Sequence, residues 1–404
     1  MNIRFRKETS GTKPARQKNI YAKRRQKKQK KVLRQGVWLL LLAVVILVLY
    51  QRRDSWMPRF TSGGVRHQSV YNSGQPSGTG NFPIYMYHDQ DYQFGAAAGK
   101  LLVLTDSHLQ VYEQDGTPLA SRQHTYGNAM LRTAGEYALI YENGGTHLRL
   151  ETPAKTRFEK TLADPIIFGR ISQSGMIAVV TTAETCACKL IVFNAKGQQI
   201  YMRSCVERLA DLTFHSDEKG CYAVSIYTAD GTMHSVVHSY SFSVVTDLWA
   251  SQPLDTLAIS VYNTSEGNVF LLGDTMCGFL DGEGKLLSSY VYPDVLKLGR
   301  FEGNTAAILL RNEEMHTDSL VILNGTAQSP VIREYTKNVK DISIVNEKEA
   351  VLVQMRKQFE TVNVFGQMLA AMPVTDGYDG FLRIGSNLYL RGYDRIEWMD
   401  YTSL

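Results

Sequence analysis

Residues 109–116, Leu109-Gln110-Val111-Tyr112-Glu113-Gln114-Asp115-Gly116, hold the pattern from which the architecture follows. A short run of apolar, β-branched and aromatic side chains enters a reversal whose glycine can take the positive φ that such a turn requires. The same piece returns at 190–197 (LIVFNAKG), 278–284 (GFLDGEG), 320–325 (LVILNG) and 362–366 (VNVFG). Its glycines, Gly116, Gly197, Gly284, Gly325 and Gly366, are spaced by 81, 87, 41 and 41 residues. The two long gaps are each close to twice the short ones, so diverged copies should fill them. Leu148-Arg149-Leu150 before Thr152-Pro153 fills the first and 235–245 the second. A further strand precedes each hairpin, at 101–104, 137–141, 177–181, 222–227, 269–272, 306–310 and 350–353. After the seventh hairpin come three short strands, 381–384, 388–390 and 396–399, and the repeat then stops one strand short.

An even period near 41 residues with four strands per unit predicts an all-β protein, an eight-bladed β-propeller, because radial repetition leaves few open sheet edges. Seven blades are the runner-up, since the fourth unit is irregular. A pair of β-sandwiches would not need even spacing. The shortage at the end implies a donor at the beginning. Phe82-Pro83-Ile84-Tyr85-Met86-Tyr87 is apolar and aromatic, with its proline near the strand start where a missing N–H is tolerated. Pairing it with the last unit closes the ring and removes two edges at once.

Ahead of the domain, 82–404, the chain reads as three segments. Residues 1–34 hold fourteen Lys or Arg and one acid, Glu8, and few apolar side chains, so 1–31 is expected to be a basic cytoplasmic tail. Residues 37–50, VWLLLLAVVILVLY, carry no charge or amide. Extended back to Val32, with Arg34 lifting its charge to the headgroups, they give a transmembrane helix at 32–50 flanked by Trp38 and Tyr50. The long basic region ahead and the absence of a small-residue site in Gln51-Arg52-Arg53-Asp54 favour an uncleaved signal-anchor over a cleaved secretory signal. The charge excess keeps the N-terminus inside and sends the C-terminal part across, so the expected place is the cell membrane, single-pass, with an extracytoplasmic domain. Residues 51–81 are rich in Ser, Gly and Pro and read as a linker. The pI is the tail's doing, since residues 35–404 have 30 basic and 38 acidic side chains. That negative balance argues against nucleic acid as a partner, because such affinity rests on neutralising phosphates.

A basic tail, one short anchor, a Ser/Gly tether and a diverged propeller of this length resemble the bacterial family catalogued as domain of unknown function 5711. The resemblance implies the fold and the anchoring but brings no catalytic residues. More distantly the repeats are similar to quinoprotein-like and WD-type propellers. No Trp-Asp pair ends a strand, and the four tryptophans, Trp38, Trp56, Trp249 and Trp398, supply no regular docking residue in each blade, which argues against a quinone cofactor.

Chemistry-bearing motifs are sparse. No Gly-x-Ser-x-Gly elbow, phosphate loop or His-Glu-x-x-His occurs, and nothing marks a dinucleotide site. His234 and His238 fall on one face of a strand and supply two ligands where zinc takes three or four, so no metal is expected. His67, His88, His108, His124, His147, His215 and His316 are scattered and support no triad, and Asp115, Asp230 and Asp281 read as turn residues. A carboxylate pair for glycoside cleavage across the channel cannot be singled out among so many acids. Of the five cysteines, Cys186, Cys188, Cys205, Cys221 and Cys277, two flank the hairpin that reverses at 194–197. A two-residue loop there opposes Cys188 to Cys205, a four-residue loop opposes Cys186 to Cys205, and a three-residue loop opposes neither. An exported location would permit a cross-strand disulfide of Cys205 with Cys186 or Cys188. An odd count leaves at least one thiol over.

No catalytic, cofactor-binding or metal residues are thus assigned. The expected function is a non-catalytic protein-interaction or scaffolding module of the cell envelope, held by the lipid bilayer and partnered by an envelope protein or polymer. The alternatives are an extracytoplasmic enzyme acting on glycan or peptide in the channel, which would show converging polar residues from several inner strands, and an envelope sensor.

Overall fold

The computed structural model of the protein describes residues 80–86, 91–326 and 329–400. The chain divides into two units, Met1–Gln68, which lies outside the described residues, and Ser69–Leu404, which contains all the described strands. The tail 1–31, the span 32–50 and the linker 51–81, apart from Gly80 and Asn81, fall outside the described residues too. Among those described, no helix is long and apolar enough to cross a membrane.

The described strands form eight four-stranded antiparallel sheets, each ordered along the chain except the last. They are blades 1 (93–123), 2 (129–161), 3 (166–205), 4 (208–250), 5 (258–291), 6 (295–335), 7 (339–373) and 8 (378–400 with Ile84–Tyr85). Blade 4, irregular in sequence, is a full blade whose middle strands, Gly220–Ala229 and Thr232–Ser241, are twice the usual length. They meet in a two-residue turn, Asp230-Gly231, with φ of 50° and 78°, the primed turn that suits a tight hairpin. The eight-blade count therefore stands and the seven-blade alternative falls.

What makes the sheets stack is that the middle strands are apolar on both faces. In Ile177–Thr181 every residue is buried, and period two sends Ala178 and Val180 towards blade 4 while Ile177 and Val179 face blade 2. Each of the eight apolar clusters among the described residues lies between two successive blades. No blade has a core of its own.

The ring closes as the missing strand required, with a shorter donor than the sequence suggested. Ile84 pairs with Ile396 and Tyr85 with Arg395, and the Met86 N–H donates to Asp394 O at 2.7 Å. Tyr87 lies outside the described residues. The seam is reinforced by Tyr92 Oη donating to Gly392 O at 2.6 Å and Tyr389 Oη to Gln114 O at 2.9 Å. Another boundary also moves. The strand expected to run through Phe365 ends at Asn363, because Asn363 Oδ1 accepts the N–H groups of Phe365 (3.0 Å) and Gln367 (2.9 Å) and turns the chain early.

Buried ion pairs join blades as well. Asp318, in the strand Thr317–Asn324 of blade 6, meets Lys297 Nζ at 3.0 Å and Arg311 Nη1 at 2.9 Å and accepts the Val339 N–H of blade 7 at 2.7 Å. Burial alone would push Asp318 up, but the Val339 N–H and the two cations hold it below the ordinary carboxylate range. A depressed carboxyl stabilises the fold fully above its unfolded value and loses that contribution as pH falls through its folded one. Asp318→Asn is expected to flatten the acid limb of a stability-versus-pH curve followed by urea denaturation; an acid limb as steep as wild type would count against this. At the seam, Ile84→Ala is expected to cost ~2–4 kcal/mol, because Ile84 is buried in the closure cluster. Tyr85→Ala, at a side chain 69% exposed, should change stability by less than about 0.5 kcal/mol in the same measurement.

Candidate functional site

Three places could carry function: the channel wall, the junction between blades 3 and 4, and the outer rim. Along the channel the innermost strands carry a register break, after which comes Asp211 in blade 4 and Asp341 in blade 7. Arg170 Nη2 of blade 3 pairs with Asp211 Oδ1, and Asp211 Oδ2 accepts the Val261 N–H of blade 5 at 3.0 Å. Three blades on, the device recurs. Arg300 Nη2 of blade 6 lies 3.1 Å from Asp341 Oδ1, and Asp341 accepts the Phe381 N–H of blade 8. Burial pushes both carboxyls up while the arginines pull them down, and the balance leaves each above the usual carboxylate value. In blade 1 an amide replaces the acid: Gln93 Nε2 donates to Ala129 O at 2.7 Å and Oε1 accepts the Leu131 N–H at 3.0 Å. Polar groups thus come from several inner strands, each tying one blade to the next.

The second place gathers most of the residues singled out in the sequence. His234 and His238 share a face of Thr232–Ser241, as expected, yet each has its own carboxylate. His234 Nδ1 lies 2.8 Å from Asp255 Oδ1, and His238 Nδ1 lies 2.8 Å from Asp247 Oδ2. No group of three or more His, Cys, Asp or Glu among the described residues is placed to hold a metal. His238 Nε2 lies 2.9 Å from Ser225 Oγ, so serine, histidine and aspartate stand in the order of a nucleophilic triad. Ser225 Oγ also donates to Glu207, and Asp247 is paired with Arg203, whose guanidinium lies 4.3 Å above the Tyr240 ring. Ser225 is only 2% exposed. The hydroxyl is sealed and already shared with a carboxylate, and through Arg203 the relay braces blade 4 against blade 3. The sequence concealed it because Ser225 pairs with Val236 and lies diagonal to His238, a relation visible only once the two-residue turn fixes the register.

Cys188, Cys205 and Cys221 lie in the apolar core between blades 3 and 4, and Cys277 in that between blades 5 and 6. The register opposes Cys188 to Cys205, the pairing a two-residue loop would give, but the turn is closed by Asn194 and Gln198 and a register break between Val192 and Phe193 restores that pairing; Cys186 lies outside the strand Cys188–Phe193. Both opposed cysteines are thiols here. Hydrogen bonding from the Cys205 thiol draws Cys188 below the ordinary thiol value, whereas burial pushes Cys221 and Cys277 up to about 12. Of the turn acids, Asp115 Oδ1 accepts the Thr117 N–H at 2.9 Å and Asp281 Oδ1 those of Glu283 and Lys285, both at 2.9 Å. Asp230 instead occupies the left-handed turn position itself.

The third place is the rim. Outer strands alternate inward and outward, and in several blades the outward residues are apolar. They are Ile200 and Met202 in blade 3, Leu248 in blade 4, Leu287 and Val291 in blade 5, and Leu369 in blade 7. Blade 2 presents Arg157 and Glu159 in the same places. Edge strands without outward charges leave backbone donors and acceptors open to a partner.

The model of the family of unknown function DUF5711 matches residues 87–371. No curated protein matches the chain. Among solved structures, BamB from Moraxella catarrhalis superposes with a TM-score of 0.53 at 14% identity, over 79% of this chain and 97% of that one. Sqt1 from Chaetomium thermophilum, bound to the N-terminus of ribosomal protein L10, gives 0.56 at 13% identity, over 78% and 98%. The dihydro-heme d1 dehydrogenase NirN gives 0.53 at 9% identity, over 71% and 67%. At such identities the likeness is one of fold alone. A fluorophosphonate probe is expected to leave Ser225 unlabelled in the folded protein, read by peptide mass spectrometry, and labelling there would reopen the catalytic reading.

Proposed function

We propose that this chain, which belongs to the family of unknown function DUF5711, is a membrane-anchored extracytoplasmic propeller that acts as a non-catalytic protein-interaction or scaffolding module of the cell envelope. The observation that carries the reading is the rim. Met202, 57% exposed, and Leu248, also 57% exposed, stand on the outer strands of neighbouring blades, with Val244 and Val245 in the loop before Leu248. Exposed apolar side chains of this kind on neighbouring outer strands are what an interface offers. Sqt1, with the same fold, is bound to a ribosomal protein's N-terminus, so a ring of this build can seat a polypeptide. Anchoring rests on the apolar stretch 37–50 and the basic residues before it, which also set the orientation. An enzyme acting in the envelope is the second reading, favoured by the order Ser225, His238, Asp247 and weakened by the burial of that serine.

Crosslinking in intact cells followed by purification should recover a protein partner, and Met202→Glu combined with Leu248→Glu should lose it while shifting stability by less than about 0.5 kcal/mol per site. Recovery of the same partner by the double variant would overturn the rim as the interface. Protease added outside whole cells should remove the domain and spare the tail, and a protected domain would overturn the orientation.

A further inference from the structure

Three of the five thiols gather at one end of blade 3, where the strand Cys188–Phe193 meets the outer strand Gln199–Cys205. Cys188 stands directly opposite Cys205. Opposed residues of an antiparallel pair hold their Cα atoms about 4.5–5.5 Å apart, within the roughly 4.4–6.8 Å that a disulfide spans. The two thiols are hydrogen-bonded to each other, and both are buried. The remaining buried thiols face no such partner. Cys221 is opposed by Phe214 and Tyr240, and Cys277 by Leu272 and Tyr290. An oxidant cannot reach a pair so enclosed without a go-between, and Cys186 is placed to serve. It is half-buried where the other two are closed off. The Ala187 N–H donates to Cys205 O at 3.0 Å and the Cys186 thiol to Cys188 O at 3.3 Å, which holds Cys186 against the end of the same ladder. It lies close enough for its charge to act on the Cys205 thiol.

We infer that Cys186, Cys188 and Cys205 form a relay that takes up the bond of a low-molecular-weight disulfide and stores it between Cys188 and Cys205. The Cys186 thiolate attacks the external disulfide R–S–S–R, so that Cys186–S–S–R forms, the R–S–S–R bond breaks and one RS− leaves. Cys205 Sγ then attacks Cys186 Sγ, forming the Cys186–Cys205 bond and expelling the second RS−. Cys188 Sγ attacks Cys205 Sγ in turn, forming Cys188–Cys205 and releasing Cys186 as it began. In sum two thiols lose two electrons and two protons, and the external disulfide takes them up as two RSH. The bond closes the blade 3 hairpin at its open end, so the outer strand that carries Ile200 and Met202 at the rim is tied covalently to its neighbour. The relay goes beyond the interaction-module reading, and only the supply of oxidant in the cell rests on the extracytoplasmic placement.

The test uses the full chain, purified reduced in detergent, incubated with oxidised glutathione, quenched in acid, alkylated and mapped by peptide mass spectrometry with fragmentation. Wild type should pass through glutathione on Cys186 and end with Cys188 linked to Cys205, while Cys186, Cys221 and Cys277 are recovered alkylated. Cys186→Ser should form that link at least about tenfold more slowly, and Cys188→Ala should stop at Cys186–Cys205. The wild-type time course reports the order of the sulfurs without any variant, so a substitution that fails to fold leaves the test intact. No Cys188–Cys205 link, glutathione retained on Cys186 as the end product, or a Cys186→Ser rate equal to wild type overturns the relay. Oxidised glutathione added to intact cells, followed by thiol trapping, separates the relay from its place. A pair that oxidises in the purified chain and stays reduced in such cells overturns the extracytoplasmic placement and not the relay.

Discussion

A sheet has two edges, and a ring of sheets has to dispose of sixteen. In this protein the inner edges face one another around the channel, seven outer edges belong to strands continuous with their blades, and the eighth is supplied by Ile84–Tyr85 from the far end of the domain. Everything else presupposes that exchange. Without it the cluster of Ile84, Tyr92, Tyr389 and Ile396 would open to water, and because cores lie between blades rather than within them, blades 8 and 1 would each lose half of what holds them. Two pairs of residues do this with help from Tyr92 and Tyr389, whose hydroxyls reach carbonyls across the seam.

Apolar junctions alone do not fix how far one blade is rotated against the next. The recurrent Arg170–Asp211–Val261 and Arg300–Asp341–Phe381 links supply that specification at the channel wall. They resemble each other in position after the register break, in chemistry, and in reaching from one blade to the second beyond. Burying a carboxylate is costly, as the raised values of both aspartates record, and removing one partner would leave a buried charge unmatched. The links are therefore better understood as devices of register than as sources of stability. The Ser225–His238–Asp247 relay, closed off by Glu207 and Arg203, does the same work nearer the rim.

The architecture was legible because period and composition agree. Apolar runs with glycine reversals at even spacing imply radial repetition, and a deficit of one strand after 396–399 points to a donor within 82–87. Boundaries were less so. Phe365 reads as a strand residue by composition and sits in a turn because Asn363 captures the backbone around it. Of the site, the sequence showed that His234 and His238 share a face but not that each has a separate aspartate, since Asp247 and Asp255 arrive from the next strand and the loop beyond it.

The seam also imposes an order of events. Tyr92 and Gly392, bonded to each other, stand 300 residues apart, and Ile84 and Ile396 further still. During synthesis the earliest segment of the domain must wait, unpaired, until the ribosome has released the last. Blades 1 to 7 can condense in sequence as they emerge, each onto the one before, while the ends stay apart. The final act of maturation is then one long-range encounter, and the interval before it is when this chain is most exposed to mispairing with another copy of itself.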